Sequence, residues 1–121
     1  MSKRVLIIED HEDNRQILRD LLTSKGYDVI EAVDGLDGVS AAETLRPDLI
    51  ILDIQLPGID GYEATRRIKA NSETEKIPII VVTSYALRGD DMKAFDAGCN
   101  AYMAKPFSPR QLISKIREYL P

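Results

Sequence analysis

Short apolar runs that alternate with segments of helical period constrain the fold of this 121-residue chain more than any other feature. Three runs are apolar at almost every position, at 5–8, 49–52 and 77–82, and the third contains Pro78. Strands that are apolar on both faces belong to a buried parallel sheet. Two weaker strand candidates lie at 28–32 and 101–104. The pattern therefore predicts five strands.

Helical segments with recognisable ends separate these strands. Three signals mark helix ends: Gly26 after the first helix, Pro47 after the second, and Gly98 after the helix predicted at 87–97. Three others mark helix starts: Asp34 as an N-cap, Asp60 with Glu63 at capping-box spacing, and Ser108-Pro109 before the last helix. Regular alternation of strands and helices predicts an α/β fold with a parallel sheet and right-handed crossovers. We expect the doubly wound, flavodoxin-like arrangement: a five-stranded parallel sheet in the order 2-1-3-4-5 with five helices.

Length and composition favour one domain over residues 1–121. The length matches the commonest domain size, and 44% hydrophobic residues are enough for one core. The net charge of −4 argues against nucleic acid as a partner, and no apolar run is long enough to span a membrane. The single cysteine, Cys99, cannot form an intramolecular disulfide, so we expect a cytoplasmic protein.

Polar and charged residues follow the predicted strands at their carboxyl ends. Glu9 and Asp10 follow strand 1, Asp53 ends strand 3, Thr83 ends strand 4 and Lys105 follows strand 5. Taken singly, each has an ordinary explanation, such as a charge near a helix N-terminus or a surface lysine. The expected strand order nevertheless brings all five to one edge, where ligands bind in such folds. Their convergence predicts a functional site.

The chemistry of this set favours phosphoryl transfer with a divalent cation. Two carboxylates roughly 5 Å apart repel by about 3 kcal/mol at an effective dielectric near 20, so a cation is needed. Oxygen ligands without Cys or His in the cluster favour Mg²⁺ or Mn²⁺. Asp53 is the natural nucleophile, since an aspartate can form an acyl phosphate, and Lys105 would stabilise the transferring oxygens. The Thr83 hydroxyl could bond a phosphate oxygen only once the phosphate exists.

Four ordered motifs then resemble the response regulator receiver domain, a CheY-like fold. They are 7–10 (Ile-Ile-Glu-Asp), 52–61 with Asp53 and Pro57-Gly58, 82–84 (Val-Thr-Ser), and Lys105-Pro106. The spacings also agree, 83 − 53 = 30 and 105 − 53 = 52. A weaker similarity to DivK-like single-domain regulators comes from 53–57 and the stretch around Cys99.

The resemblance implies a two-component phosphorelay protein. A sensor histidine kinase or a histidine phosphotransfer protein would donate the phosphoryl group to Asp53. Asp10, Asp53 and the Gln55 backbone carbonyl would bind Mg²⁺, with Glu9 acting mainly through water. Lys105 would pair with the phosphate and precede a cis peptide to Pro106.

The resemblance also implies a switch and an output. Thr83 and Tyr102 would move together on phosphorylation and alter the face built from helix 4, strand 5 and helix 5, where a downstream protein target binds. Ser84 stands where the family often has alanine, and Gln55 and Tyr85 occupy the two variable positions that flank the phosphate.

The sequence is also compatible with other functions. The chain could be the receiver fragment of a longer regulator or hybrid kinase. A Mg²⁺-dependent aspartyl-phosphate phosphohydrolase usually needs a second acid two residues after the nucleophile, where this chain has Gln55. A pseudo-receiver or a flavin carrier is disfavoured by the full acid–lysine set and by the lack of a phosphate loop after strand 1. We therefore expect no enzyme, apart from catalysis of its own aspartyl phosphorylation and dephosphorylation.

Four further residues or groups have structural interpretations that compete with functional ones. His11 is interpreted as an exposed loop histidine rather than a metal ligand, and Cys99 as a small buried hydrophobe. Tyr102 could serve only in packing. The basic stretch at 66–69 is expected to form a solvated helix face.

Overall fold

The computed structural model describes residues 2–84 and 89–121, which form alternating strands and helices. The strands pair in parallel in the order 2-1-3-4-5, so the predicted fold and strand order are confirmed. The strands are β1 (Arg4–Ile8), β2 (Asp28–Ala32), β3 (Leu49–Asp53), β4 (Ile79–Thr83) and β5 (Ala101–Ala104). The helices are α1 (Glu12–Ser24), α2 (Gly35–Leu45), α3 (Gly61–Ala70), α4 (Asp90–Ala97) and α5 (Pro109–Tyr119).

The sheet separates two hydrophobic clusters, which explains why its central strands are apolar throughout. On one face, alternate residues of β1, β3 and β4 pack with buried residues of α2, α3 and α4. On the other face, the intervening residues pack with α1 and α5 through Leu18, Leu22, Leu112, Ile113 and Ile116. Because successive side chains of a strand point to opposite faces, both sets must be hydrophobic. Among the described residues, no helix has the length and hydropathy to cross a bilayer.

Most helix ends lie where the sequence predicts them. The Asp34 carboxylate accepts a hydrogen bond from the Asp37 N–H at 2.7 Å, and Ser108 forms a reciprocal capping box with Gln111. Asp60 accepts from the Glu63 N–H at 2.9 Å, but the Glu63 carboxylate binds Arg66 and Arg67 instead of completing a box.

Three expectations need correction or fall outside the described residues. Strand β4 begins at Ile79 rather than at residue 77, because Pro78 has no N–H to donate to the ladder. The predicted start of helix 4 at Leu87 lies outside the described residues, and the described part of that helix begins at Asp90. The solvated-face prediction is wrong for Lys69, whose Nζ donates to the carbonyl oxygens of Glu75 and Ile77 at 3.0 and 2.7 Å.

Candidate functional site

Glu9, Asp53 and Lys105 meet at the carboxyl edge of the sheet. Ile8 pairs with Leu52 across β1 and β3, so the next residues, Glu9 and Asp53, leave their strands side by side. Lys105 follows β5, and its Nζ lies 3.3 Å from Glu9 Oε1 and 3.3 Å from Asp53 Oδ2. The side chains of Glu9 and Asp53 are only 3% and 10% exposed. One ammonium group therefore bridges two nearly buried carboxylates.

Asp10 supplies a third carboxylate beside this pair. Glu9, Asp10 and His11 each offer one atom that could bind a metal, and these three atoms all lie within 4.8 Å of one another. His11 is exposed, as expected, and its Nδ1 is 3.1 Å from Asp10 Oδ1 and 3.3 Å from Glu9 Oε2. Apart from this contact with the His11 ring, the buried Asp10 Oδ1 has no hydrogen-bond partner in the described part of the chain. A buried carboxylate oxygen of this kind, in an oxygen-rich cluster, fits a hard divalent cation.

The environments of Glu9 and Asp53 shift their pKa values in opposite directions. Burial acts to raise the pKa of Glu9, but the His11 N–H, the contact with Asp10 and the Lys105 charge together lower it to about 2. Burial raises the pKa of Asp53, and the Glu9 charge adds to this, against the Gln55 N–H and Lys105. Glu9 is therefore ionised at neutral pH and pairs with Lys105. The ionised form of Asp53, in contrast, is disfavoured unless a further cation binds close to it.

The remaining predicted residues surround Asp53 on neighbouring strands. Thr83 is buried at the end of β4, and its carbonyl accepts a 2.7 Å hydrogen bond from the Lys105 N–H. The Gln55 N–H donates to Asp53 Oδ1 at 3.1 Å. Tyr102 lies on β5 opposite Val81, and its buried hydroxyl has no hydrogen-bond partner among the residues that the structure describes. Tyr85, predicted to flank the phosphate, lies outside those residues, and Lys105-Pro106 is cis as expected.

Two residues of α1 contact Glu9 and were not predicted from the sequence. Asn14 Nδ2 donates to Glu9 Oε1 at 3.2 Å, and Arg15 Nη1 donates to the Glu9 carbonyl oxygen at 2.8 Å. The only signal in the sequence is their position in the first turns of the helix that follows the acids. Because every residue has a backbone carbonyl, the hydrogen bond from Arg15 requires no particular residue at position 9. The contact therefore produces no recognisable sequence motif.

A doubly wound sheet with three carboxylates and one lysine at its carboxyl edge defines the class of phosphate-receiving signalling domains. The chain belongs to the response regulator receiver domain family, whose model matches residues 5–117. It is 42% identical over 120 residues to the polar-differentiation response regulator DivK of Brucella anthropi, covering 99% of this chain and 98% of that protein. The function class is therefore that of a two-component receiver domain.

Solved structures agree with this assignment. A putative response regulator from Chloroflexus aurantiacus superimposes with a TM-score of 0.94 at 32% identity, covering 99% of this chain and 98% of that one. The receiver domain of the sensor histidine kinase PA1611 from Pseudomonas aeruginosa has a TM-score of 0.92 at 38% identity, with the same coverage. That structure holds a magnesium ion coordinated in its active site cleft.

Proposed function

We propose that residues 1–121 form one receiver domain in which Asp53 accepts the phosphoryl group. The observation that carries this proposal is the position of Asp53 Oδ2, 3.3 Å from Lys105 Nζ and beside the buried Glu9. Asp53 is the carboxylate whose pKa is raised, so its ionised form is the one that gains from a cation or from conversion to an acyl phosphate. Lys105 supplies a positive charge next to the oxygen that would react.

Magnesium is the cofactor that we propose for this site. Asp10, Asp53 and the Gln55 backbone carbonyl would hold the ion, and Glu9 would act mainly through water. The buried Asp10 Oδ1, which has no described hydrogen-bond partner apart from its contact with the His11 ring, supports this assignment, as does a donor set made of oxygens. When bound, the ion would supply positive charge that offsets the carboxylates and the phosphoryl oxygens.

The proposed reaction is a displacement at phosphorus. An Asp53 carboxylate oxygen attacks the phosphorus of a phosphohistidine, the P–N bond breaks as the P–O bond forms, and the histidine nitrogen leaves with its electron pair. Lys105 stabilises the charge on the transferring oxygens, and the Thr83 hydroxyl donates to one of them in the product. The protein thereby catalyses its own phosphorylation. Attack of water on the phosphorus of the acyl phosphate would break its P–O bond to Asp53, release inorganic phosphate and restore the Asp53 carboxylate.

The proposed partners are a sensor histidine kinase or a histidine phosphotransfer protein upstream and a protein target downstream. Thr83 and Tyr102 would couple the phosphate to the face formed by α4, β5 and α5. Met92 and Phe95 of α4 are 68% and 50% exposed, and exposed large hydrophobic side chains on this helix support a protein-binding role. The cytoplasmic location expected from the sequence stays a prediction.

Acetyl phosphate is the probe that tests the acceptor directly. The purified chain is incubated with acetyl phosphate with and without Mg²⁺, and the modified residue is mapped by mass spectrometry. We expect one phosphoryl group on Asp53 only when Mg²⁺ is present, and none in Asp53→Asn. The exposed Asp13→Asn is the matched control and should label like the wild type. Undiminished labelling of Asp53→Asn would contradict the assignment.

A further inference from the structure

Arg15 binds the backbone of residues 9–11, here called the acidic loop, and its described contacts do not include the carboxylates of Glu9 and Asp10. Its side chain is only 11% exposed, and its Nη1 donates to the Glu9 carbonyl oxygen at 2.8 Å. The other sides of the same guanidinium are also occupied: Nη2 pairs with Glu12, and Nε lies 3.4 Å from Glu31 Oε1. A planar guanidinium with three directions engaged has little freedom to move.

We infer that Arg15 is a positioning residue, which fixes the Glu9 peptide group and thereby sets where the carboxylates of Glu9 and Asp10 meet a cation. The inference rests on the proposed function, because it assigns Arg15 a role in building the proposed magnesium site. Nothing in the receiver motif itself points to this residue, which lies on α1 outside the carboxylate cluster.

The physical link is the planarity of the peptide bond. The carbonyl of Glu9 and the N–H of Asp10 belong to one rigid plane. A hydrogen bond that holds the carbonyl oxygen therefore also fixes the direction in which the chain continues to Asp10. The N–H of Glu9 is held as well, since it donates to the Ala32 carbonyl of β2 at 3.1 Å. Both backbone polar groups of Glu9 are therefore anchored, one by the sheet and one by Arg15.

Two further hydrogen bonds connect the Glu9 carboxylate to the residues that follow it. The Glu9 carboxylate accepts from Asn14 at 3.2 Å and from the His11 N–H at 3.1 Å, and both donors lie in the segment that the Glu9–Asp10 peptide leads into. A rotated peptide would shift these donors together with Asp10. Groups that orient metal ligands without contacting the metal themselves change the affinity of the site for the metal.

Arg19 provides a matched control within the same ion-pair network. It pairs with the same two carboxylates as Arg15: its Nη1 lies 2.8 and 2.9 Å from the two oxygens of Glu31, and its Nη2 lies 3.5 Å from Glu12. Its described hydrogen bonds do not include the Glu9 carbonyl. Replacing Arg19 therefore removes comparable ion pairs and leaves the proposed positioning contact in place.

The test compares Arg15→Met, Arg15→Lys and Arg19→Met by calorimetric titration with MgCl2. We expect Arg15→Met to weaken Mg²⁺ binding by about tenfold, the lower end of the usual effect of outer-shell groups. Arg15→Lys should recover part of this loss, because an ammonium can reach one of the three acceptors but cannot span them. Arg19→Met should bind Mg²⁺ like the wild type. Equal weakening in Arg15→Met and Arg19→Met, or none in either, would overturn the inference.

A second measurement works without Mg²⁺ and separates this inference from the proposed function. Amide NMR spectra of the metal-free proteins should show broadened or faster-exchanging signals for residues 9–11 in Arg15→Met but not in Arg19→Met, with the remaining signals preserved in both. If the wild type binds no Mg²⁺, the proposed metal site is wrong, and the positioning of the loop is then decided by these signals alone. Unchanged signals in Arg15→Met would overturn it.

Discussion

At the amino ends of the strands, Arg4, Asp48 and Asn100 bind complementary partners, whereas at the carboxyl ends one lysine bridges two carboxylates and a third carboxylate lies beside them. Arg4 and Asp48 exchange two hydrogen bonds, from the Arg4 N–H to Asp48 Oδ2 and from the Asp48 N–H to the Arg4 carbonyl, both at 2.8 Å. Asn100 likewise binds Ile79 through two hydrogen bonds, at 2.8 and 2.9 Å.

The polar groups at the two edges of the sheet therefore have different roles. Satisfied polar groups at the amino edge hold the strands in register, and their loss should affect stability alone. At the carboxyl edge, burial and, to a lesser extent, the Glu9 charge raise the pKa of Asp53, so its ionised form lowers stability until a cation binds. The amino edge therefore contributes to stability alone, whereas the carboxyl edge combines the proposed function with an electrostatic effect on stability, and the following substitutions test that division.

The largest expected effect is the loss of Lys105. Lys105→Met leaves Glu9 and Asp53 without their shared counter-charge, and we expect a loss of about 3 kcal/mol in unfolding free energy at neutral pH. The measurement is urea unfolding followed by circular dichroism. Lys115→Met is the control, because its pair with Glu118 at 3.0 Å is exposed and should contribute at most about 0.5 kcal/mol. Similar losses in both variants would mean that the carboxyl edge carries no special electrostatic cost.

A smaller effect is expected at the amino edge. Asn100→Ala removes the acceptor of the Ile79 N–H, and because Ile79 is fully buried we expect a cost of about 1 kcal/mol. Asn71→Ala is the matched control, since Asn71 also accepts from a backbone N–H, that of Glu73, but in an exposed turn. Magnesium affinity should be the same in both variants and in the wild type. A weakened affinity in Asn100→Ala would break the division between the two edges.

The sequence predicts the placement of the acids better than it predicts the contacts that hold them. Strand ends are marked by the change from apolar to charged residues, and parallel pairing then brings Glu9, Asp53 and Lys105 together. The basic stretch at 66–69 predicts a solvated helix face, but Lys69 binds carbonyls of the segment before β4, a tertiary contact that a local pattern cannot encode. Arg15 was missed for the same reason, since its key acceptor is a backbone oxygen.

The smallest expected effect has the opposite sign. Asp53→Asn removes a charge that burial in the native state disfavours, so the metal-free variant should be slightly more stable than the wild type at neutral pH. An acid whose pKa is raised by folding lowers stability once it is ionised in the native state, and this cost vanishes below its unfolded pKa of 3.8. Glu9 behaves in the opposite way, because its pKa is lowered to about 2 and its contribution, present above 4.5, is lost as the pH falls through about 2. Since Glu9 is common to both proteins, the urea midpoint of Asp53→Asn should be higher than that of the wild type at about pH 7 and nearly equal to it at about pH 3.

Added Mg²⁺ should make the wild type the more stable protein at neutral pH, because a ligand stabilises only the protein that binds it. A midpoint of Asp53→Asn that equals the wild type at neutral pH without metal would show that Lys105 alone balances the site, and the contrast between the two edges of the sheet would then lose its electrostatic basis.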